Sequence, residues 1–376
     1  MKVLLIGNYQ LDAIQSMDLF AAMLENNLTQ FGHQVRVIRP TPYLGSLHLF
    51  PNVFKKWFGY IDKLMIFPLN LRSIVSWADV VHICDHGNAI YTKYLQNIPH
   101  IVTCHDLLAI RSGLGEFPEY KTGWTGKILQ QIIVKGLNQA QKVACVSKQT
   151  RSDLIRLSNL NKNAVIFLVP VGLNYPYSPM AALEAKQRLK ALGLPQDCRF
   201  ILHVGANHWY KNRLGVLAIF SQLKLKQPEW HLVMVGKPMT DEMHKFIQSH
   251  NLGQRVIELI EVDHENLRAL YSSATALLFP SLQEGFGWPI IEAQACGCPV
   301  LTSNRPPMND VGGEAAIYID PDNPKDTAEK IISCLPKLEM LKSKGFVNSQ
   351  KFTAENMIYK YIDLYEQAIA EKMSKC

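Results

Sequence analysis

FPSLQEGFGWPIIEAQACGCPV, Phe279 to Val300, carries the order strand, glycine loop, helix. Ala276 to Phe279 is an apolar run of strand character, Pro289 suits a first helical position, and Gly297 marks the helix stop. Such a loop is suited to phosphate. The helix N-terminus offers unpaired N–H groups and the positive end of its dipole, and Gly285 and Gly287 lack side chains that would keep a ligand from the backbone. Glu284 and Glu292 flank it, eight positions apart. Ionised carboxylates only accept hydrogen bonds and sugar hydroxyls donate them, so the pair fits a ligand with a phosphate centre and a hydroxyl-rich group on each side. A plainer reading stands beside this one: Glu292 as a first-turn glutamate favouring the helix dipole, and Glu284 as a solvated loop charge.

Short β-branched runs alternate with helical patterns on both sides of that stretch. Val3 to Ile6, Val35 to Ile38, Asp79 to Cys84, His100 to Cys104, Lys142 to Val146 and Val165 to Val169 read as strands in the first half. Phe200 to Val204, His231 to Val235, Arg255 to Leu259, Ala276 to Phe279 and Pro299 to Thr302 form a second set. Alternation of this kind argues for parallel βαβ units. Asp18 to Phe31 has helical spacing, with Leu19, Met23, Leu24 and Leu28 apolar. A first domain over 1–170, a Gly- and Pro-punctuated linker over 171–194 and a second domain over 195–354 follow, with the terminal helix near 355–373 packing back on the first. Two doubly wound domains facing one another leave a central cleft, and ligands bind such sheets outside the carboxyl ends of the strands.

Three loops at those ends stand out. Gly7 to Ser16 lacks the GxGxxG of a dinucleotide site, which argues against a nicotinamide dehydrogenase. His105-Asp106 follows a strand, at the edge of the expected cleft and ahead of a long loop; a histidine so placed is either hydrogen-bonded structure or a reactive group. GANHWYKNR, Gly205 to Arg213, puts Lys211 and Arg213 at the start of a helix, where cations oppose the dipole unless an anion is bound. A diphosphate would explain them, and two exposed surface charges are the alternative.

With 48% hydrophobic and 19% charged residues, the 376-residue chain has the profile of a folded two-domain protein. Its eight cysteines show no paired framework and read as reduced, mostly buried thiols. Cys296 and Cys298 lack the second pair that a zinc site needs, so no metal is expected. The opening apolar run is too short for a signal peptide, and no stretch approaches the ~20 residues of a membrane span. The net charge of +7 arises in the first half, where 17 Lys+Arg face 10 Asp+Glu over residues 1–170, against 22 and 22 over 171–376. Its densest part, 50–72, interleaves Lys55, Lys56, Lys63 and Arg72 with Phe54, Trp57, Phe58, Tyr60 and Phe67. That mixture suits an anionic membrane surface or a lipid-linked substrate, or else an amphipathic helix packed on its own domain. No nucleic-acid-binding motif accompanies the charge.

With these residues in place, the chain resembles a retaining glycosyltransferase of family 4 (group 1), built on the GT-B fold of two Rossmann-like domains. The resemblance is densest over 200–325, in LLFPSLQEGFGWPIIEAQACGCPVLTSN, HVGANHWYKN and VGGEAAIYIDP, and patchier in VTCHDL, CVSKQTRSDL and LVPVGLN. It implies that Glu292 holds the ribose of a sugar nucleotide and that Glu284 contacts the donor sugar. It also implies that Lys211 binds the diphosphate beside Gly205, helped by backbone N–H groups around Phe286 and Gly287. His105 would face the donor sugar, and Val262 and Leu267 would flank the base. The catalytic set is then Glu284, His105 and Lys211, with a carbohydrate or lipid-linked acceptor, no cofactor and no metal, in the cytoplasm or on the inner membrane face. Asp320-Pro321-Asp322 reads as a turn rather than a metal site.

Two positions depart from the family pattern. Ala206 stands where many members have an arginine, leaving Arg213 or another cation to substitute, and LDAIQSMD replaces a glycine pair in the first loop, so the acceptor side differs. A sugar-nucleotide epimerase on the same fold and a non-catalytic sugar-nucleotide-binding subunit remain as rival readings.

Overall fold

A computed structural model describes residues 1–46, 52–160 and 164–374. Phe50 and Cys376 lie outside the described residues, as do the side chains of Phe54, Lys55 and Lys56. The chain divides into two compact units, 1–174 with 354–376, and 175–353.

In the first unit, six parallel strands are arranged in the order β2-β1-β3-β4-β5-β6: β1 (Lys2–Ile6), β2 (Gln34–Ile38), β3 (Val80–Ile83), β4 (His100–Cys104), β5 (Lys142–Cys145) and β6 (Val165–Leu168). The central strands are buried along their whole length, as strands covered on both faces must be. Helix Ala354–Met373 belongs to this unit and is fastened by polar contacts as well as packing. Tyr365 and Thr103 each bond to a nitrogen of His82 at 2.7 Å, and Thr103 also bonds to Tyr361 at 2.7 Å. All four side chains are fully buried, so satisfying them fixes where the helix sits.

The second unit is a six-stranded parallel sheet in the order β12-β11-β10-β7-β8-β9, built from β7 (Phe200–Val204), β8 (His231–Gly236), β9 (Val256–Ile260), β10 (Ala276–Phe279), β11 (Val300–Ser303) and β12 (Ala316–Ile319). Read from the other edge, this is the order of a dinucleotide-binding sheet, which reverses direction between β7 and β10. The edge strand β12 is absent from the strands expected of the sequence. It lies within VGGEAAIYIDP, and only four residues of it pair.

The stretch 171–194 divides between the units at Asn174 and Tyr175. Helix Ala182–Ala191 lies within it and packs in the second unit against helix His264–Ser273, which buries Ala185 beside Ala269. The segment after β2 folds as helix Asn52–Ile61, a π-turn over Asp62–Ile66 and helix Phe67–Ile74. Asp62 is fully buried, accepting from Tyr9 Oη at 2.8 Å and from the amides of Leu44 and Gly45 at 3.0 and 2.9 Å. Phe67 and Leu71 face the core of this unit, while Trp57, Met65 and Leu69 face solvent.

Candidate functional site

The glycine loop opens where the sequence suggests, but its helix begins one residue earlier, running Trp288–Ala295 with Pro289 as the second residue. Gly287 caps it at φ +103°, and a Cβ there would meet Ile290 Cδ1 at 3.2 Å, so the turn needs a glycine. Glu284 lies in the loop after β10 and Lys211 in the short 3-10 turn Trp209–Lys211 after β7. These are the two loops that flank the reversal point of the sheet. Lys211 Nζ donates to both oxygens of Glu284, at 2.7 and 2.9 Å. Their side chains are 17% and 6% exposed. Glu284 is thus a paired, buried carboxylate rather than a solvated loop charge.

Two hydrogen bonds hold the two loops together. Leu282 donates to Tyr210 O at 2.7 Å. Asn212, at φ +53°, gives Nδ2 to Pro280 O at 3.2 Å while its Oδ1 caps the amide of Gly215 at 3.2 Å. A side chain that serves both loops at once fixes the spacing of Lys211 and Glu284 before any ligand arrives.

Glu292 is the fifth residue of its helix and 5% exposed, which rules out the plainer reading of a first-turn dipole charge. Tyr271, fully buried, donates its hydroxyl to Glu292 Oε2 at 2.8 Å. Burial, with Glu292 next, holds the Tyr271 hydroxyl far above its ordinary range, so it stays a donor. Tyr177 contacts Tyr271 edge-on, its ring 5.9 Å away, and bonds to His264 Nδ1 at 2.9 Å. Val262 and Leu267 are half-buried, in the loop after β9 and in the helix His264–Ser273 that Asp263 caps.

Arg213 is a correction. It is not an open cation at a helix start, because the side chain is only 2% exposed. Its Nη1 donates to Asn207 Oδ1 and, at 2.7 Å, to Lys237 O, so it braces the loops after β7 and β8. Burial lowers its pKa, against the pull of Glu258. Gly205 sits where those strands come close: a Cβ on Gly236 would approach Gly205 O to 2.1 Å. Ala206 is half-buried beside it.

In the first unit His105 is buried at the carboxyl end of β4. Its Nε2 lies 2.9 Å from Cys84 O, which makes Nε2 the protonated nitrogen, and Phe20 meets the ring edge-on at 4.6 Å. Burial pushes its pKa down, so the neutral ring keeps Nδ1 as an acceptor.

Sequence reasoning missed the polar groups around it. The first sheet reverses between β1 and β3, and there Asn8 Nδ2 donates to Asp85 Oδ2 at 2.7 Å, while Asn88 donates to Asn8 Oδ1 at 2.9 Å. His86 Nδ1 lies 3.0 Å from Asp85 Oδ1. Burial works to raise the Asp85 carboxyl, but His86, His105 and Asn8 outweigh it and hold it well below the usual carboxylate range. The same pair raises His86 against its own burial. The signal available in the sequence was Asp85-His86 directly after a strand, the arrangement that singled out His105-Asp106.

Among the described residues no three His, Cys, Asp or Glu side chains are grouped to hold a metal ion, and no helix is long and apolar enough to cross a membrane. The structure describes seven free cysteines and includes Cys296 and Cys298 as separate buried thiols.

Both halves of the chain match known families. Residues 184–343 match Glycosyl transferases group 1, and residues 19–175 match Glycosyltransferase Family 4. O-antigen chain mannosyltransferase B of Escherichia coli is 25% identical over 293 residues, 75% of each chain. The sucrose-phosphate synthase of Thermosynechococcus elongatus superposes with a TM-score of 0.78 at 21% identity, over 99% of this chain and all of that one. Anabaena HepE, solved in complex with UDP and glucose, superposes with a TM-score of 0.75 at 15% identity, over 100% of both chains. Two six-stranded parallel sheets and these matches across both halves establish that the chain belongs to the group 1, family 4 glycosyltransferases of the GT-B fold.

Proposed function

We propose that the protein moves a hexose-type sugar from a nucleoside diphosphate sugar to an acceptor hydroxyl, with retention at the anomeric carbon, in the synthesis of a bacterial polysaccharide or lipid-linked glycan. The observation that carries this is the Lys211–Glu284 pair on the two loops flanking the reversal point of the second sheet, with buried Glu292 on the helix that the glycine loop opens. Lys211 has three ammonium protons, and Glu284 accepts from two of its positions, so a diphosphate would enter by sharing or displacing that carboxylate. Glu292, oriented by Tyr271, then receives the ribose hydroxyls, and Glu284, released in part from Lys211, receives those of the transferred sugar. The names of the similar proteins support the reading: one is an O-antigen chain mannosyltransferase, and another was solved with UDP and glucose.

The departing phosphate oxygen accepts the acceptor proton on the face where the new bond forms, and Lys211 with the helix terminus stabilises the charge left on the diphosphate. No metal takes part, and transfer is expected to persist in EDTA. His105 lies on the first domain with a neutral ring whose Nδ1 accepts, suited to a donor-sugar hydroxyl. The solvent-facing Trp57, Met65 and Leu69, with Arg72, support peripheral contact with an anionic membrane through 50–72 on the cytoplasmic side.

A calorimetric and thermal-shift panel of UDP, GDP, ADP and their sugars tests the donor. One nucleotide is expected to add about 2.7 kcal/mol of apparent stability at about 100 times its dissociation constant. A panel in which none of them binds, or in which Glu292→Ala binds as tightly as the wild type, removes the basis of the reading. Incubating donor alone and following it by NMR separates transfer from epimerisation, since an epimerase would form an isomer without acceptor.

A further inference from the structure

Residues 175–180 open the second unit, directly after its boundary at Asn174, and are fastened to helix His264–Ser273. Met180 N donates to Ser272 Oγ at 3.0 Å, and Arg268 donates to the carbonyls of Ser178 and Pro179 at 2.8 and 3.0 Å. The two tyrosines of the stretch reach the start of the same helix. Tyr175 donates to Glu265 Oε1 at 2.5 Å and lays its ring flat on His264, with centroids 4.7 Å apart and planes within 2°. Tyr177, turned by a bond from its amide to Tyr175 O at 2.7 Å, places Oη 2.9 Å from His264 Nδ1. Its ring braces Tyr271 edge-on, and Tyr271 donates to Glu292. Tyr177 is 6% exposed, so like Tyr271 and Glu292 it cannot exchange its protein partner for water.

We propose that Tyr177 and His264 are positioning residues of the donor site, which hold Tyr271 and through it Glu292, so that nucleoside diphosphate affinity depends on a neutral His264 ring. The proposal rests on the donor reading of Glu292. Burial, with Glu292 next, holds the Tyr177 hydroxyl far above its ordinary range, so Oη keeps its proton and donates. His264 Nδ1 therefore accepts, which only the neutral ring can do. Burial lowers the pKa of that ring below 6.5, against the pull of Asp263, so the accepting form prevails at neutral pH. Protonation turns Nδ1 into a donor, and among the described residues no other acceptor reaches Tyr177 Oη. A buried hydroxyl left without an acceptor shifts to find one, and Tyr271 then loses the ring that braces it. The other charged groups near His264 do not replace this bond: Glu265 is taken up by Tyr175, by Arg268 at 3.3 Å and by Arg188 at 3.7 Å, and Glu292 is reached through Tyr271. Anchoring 175–180 would need only the bonds to Arg268, Ser272 and Glu265. Tyr177 adds a bond that titrates and that continues to the donor site.

The test is calorimetric titration of the full chain with UDP, GDP and ADP between about pH 7.5 and about pH 5, the range across which a histidine changes charge. For the nucleotide that binds, Tyr177→Phe should lower affinity about fivefold to tenfold at the upper pH, the effect of about one hydrogen bond. The ratio of wild-type to variant affinity should shrink toward unity as pH falls below 6.5, because protonated His264 has already removed the bond. Titration of the nucleotide itself is common to both proteins and cancels. His264→Asn, whose Oδ1 accepts from Tyr177 at any pH, should keep near wild-type affinity at the upper pH and lose the extra decline at the lower one. In turnover, Tyr177→Phe should raise the donor KM and leave kcat nearly unchanged. If the thermal transition shows that Tyr177→Phe does not fold, the pH profiles of the wild type and His264→Asn decide the matter. An affinity ratio that stays constant with pH overturns the inference, as does Tyr177→Phe binding as tightly as the wild type while Glu292→Ala binds weakly; both outcomes leave the donor reading standing. Failure of all three nucleotides to bind, or Glu292→Ala binding like the wild type, overturns the inference and the donor reading together.

Discussion

Replacing Lys211 with methionine tests whether the ion pair organises the donor site. The change keeps the length of the side chain and leaves Glu284, 6% exposed, without its partner. At N···O distances of 2.7 and 2.9 Å the attraction is about 6 kcal/mol at an effective dielectric of about 20. Desolvation of the two charges offsets most of it, and stranding one member of a buried pair costs about 3–5 kcal/mol. Lys211 keeps 17% of its side-chain surface in water, which lowers the expected cost to about 2–3 kcal/mol. For a domain of this size that is a fall of about 4–12 °C in the second-domain transition, read by differential scanning calorimetry. Glu284→Gln should cost less, and the double variant should cost less than the two single changes together by about 1–2 kcal/mol, the signature of a shared contact. Affinity for the nucleoside diphosphate should drop about 100-fold in Lys211→Met, because a cation is lost and a carboxylate is left facing the phosphates. Strictly additive stability effects, or unchanged diphosphate affinity, would refute the assignment.

Glu292→Ala is expected to weaken nucleoside diphosphate binding by calorimetry. Tyr271→Phe, which removes a hydrogen bond to a charged group, should cost about 1.5–3 kcal/mol of stability and raise the donor KM more than it lowers kcat; equal affinity in Tyr271→Phe would detach Tyr271 from ligand orientation. Burial lowers His82 and His203 to about 3. Since the unfolded chain takes up those protons near 6.5, stability is full above that pH and falls as pH drops toward 3, by up to about 1.4 kcal/mol per pH unit in each domain. Urea midpoints that stay level between pH 6.5 and pH 5 would contradict the buried, neutral rings. Denaturing turnover mixtures for mass spectrometry should show protein of unmodified mass, and a covalently bound sugar would sink the front-face mechanism.

Among the described residues, the periodicity of apolar runs was enough to place eleven of twelve strands to within a residue or two, because parallel strands buried on both faces must be apolar along their length. It passed over Ala316–Ile319, a four-residue edge strand whose burial alternates. Glycine and proline chemistry marked the loop at Gly287, where φ itself demands a glycine. Residue type and sequence position also selected Lys211, Glu284, Glu292 and His105. What they could not specify was partnership. Arg213 reads as a surface cation until the meeting of the β7 and β8 loops buries it against Asn207 and Lys237, and Asp85 reads as an ordinary loop acid until β1 and β4, on either side of β3, bring Asn8 and His105 to it. The sequence by itself determined local conformation and the kinds of group at each strand end, because backbone preference and hydrophobic period are local properties. Only the tertiary structure decided which charges are paired and how they titrate, because strand order sets those neighbours and burial sets how strongly they are felt.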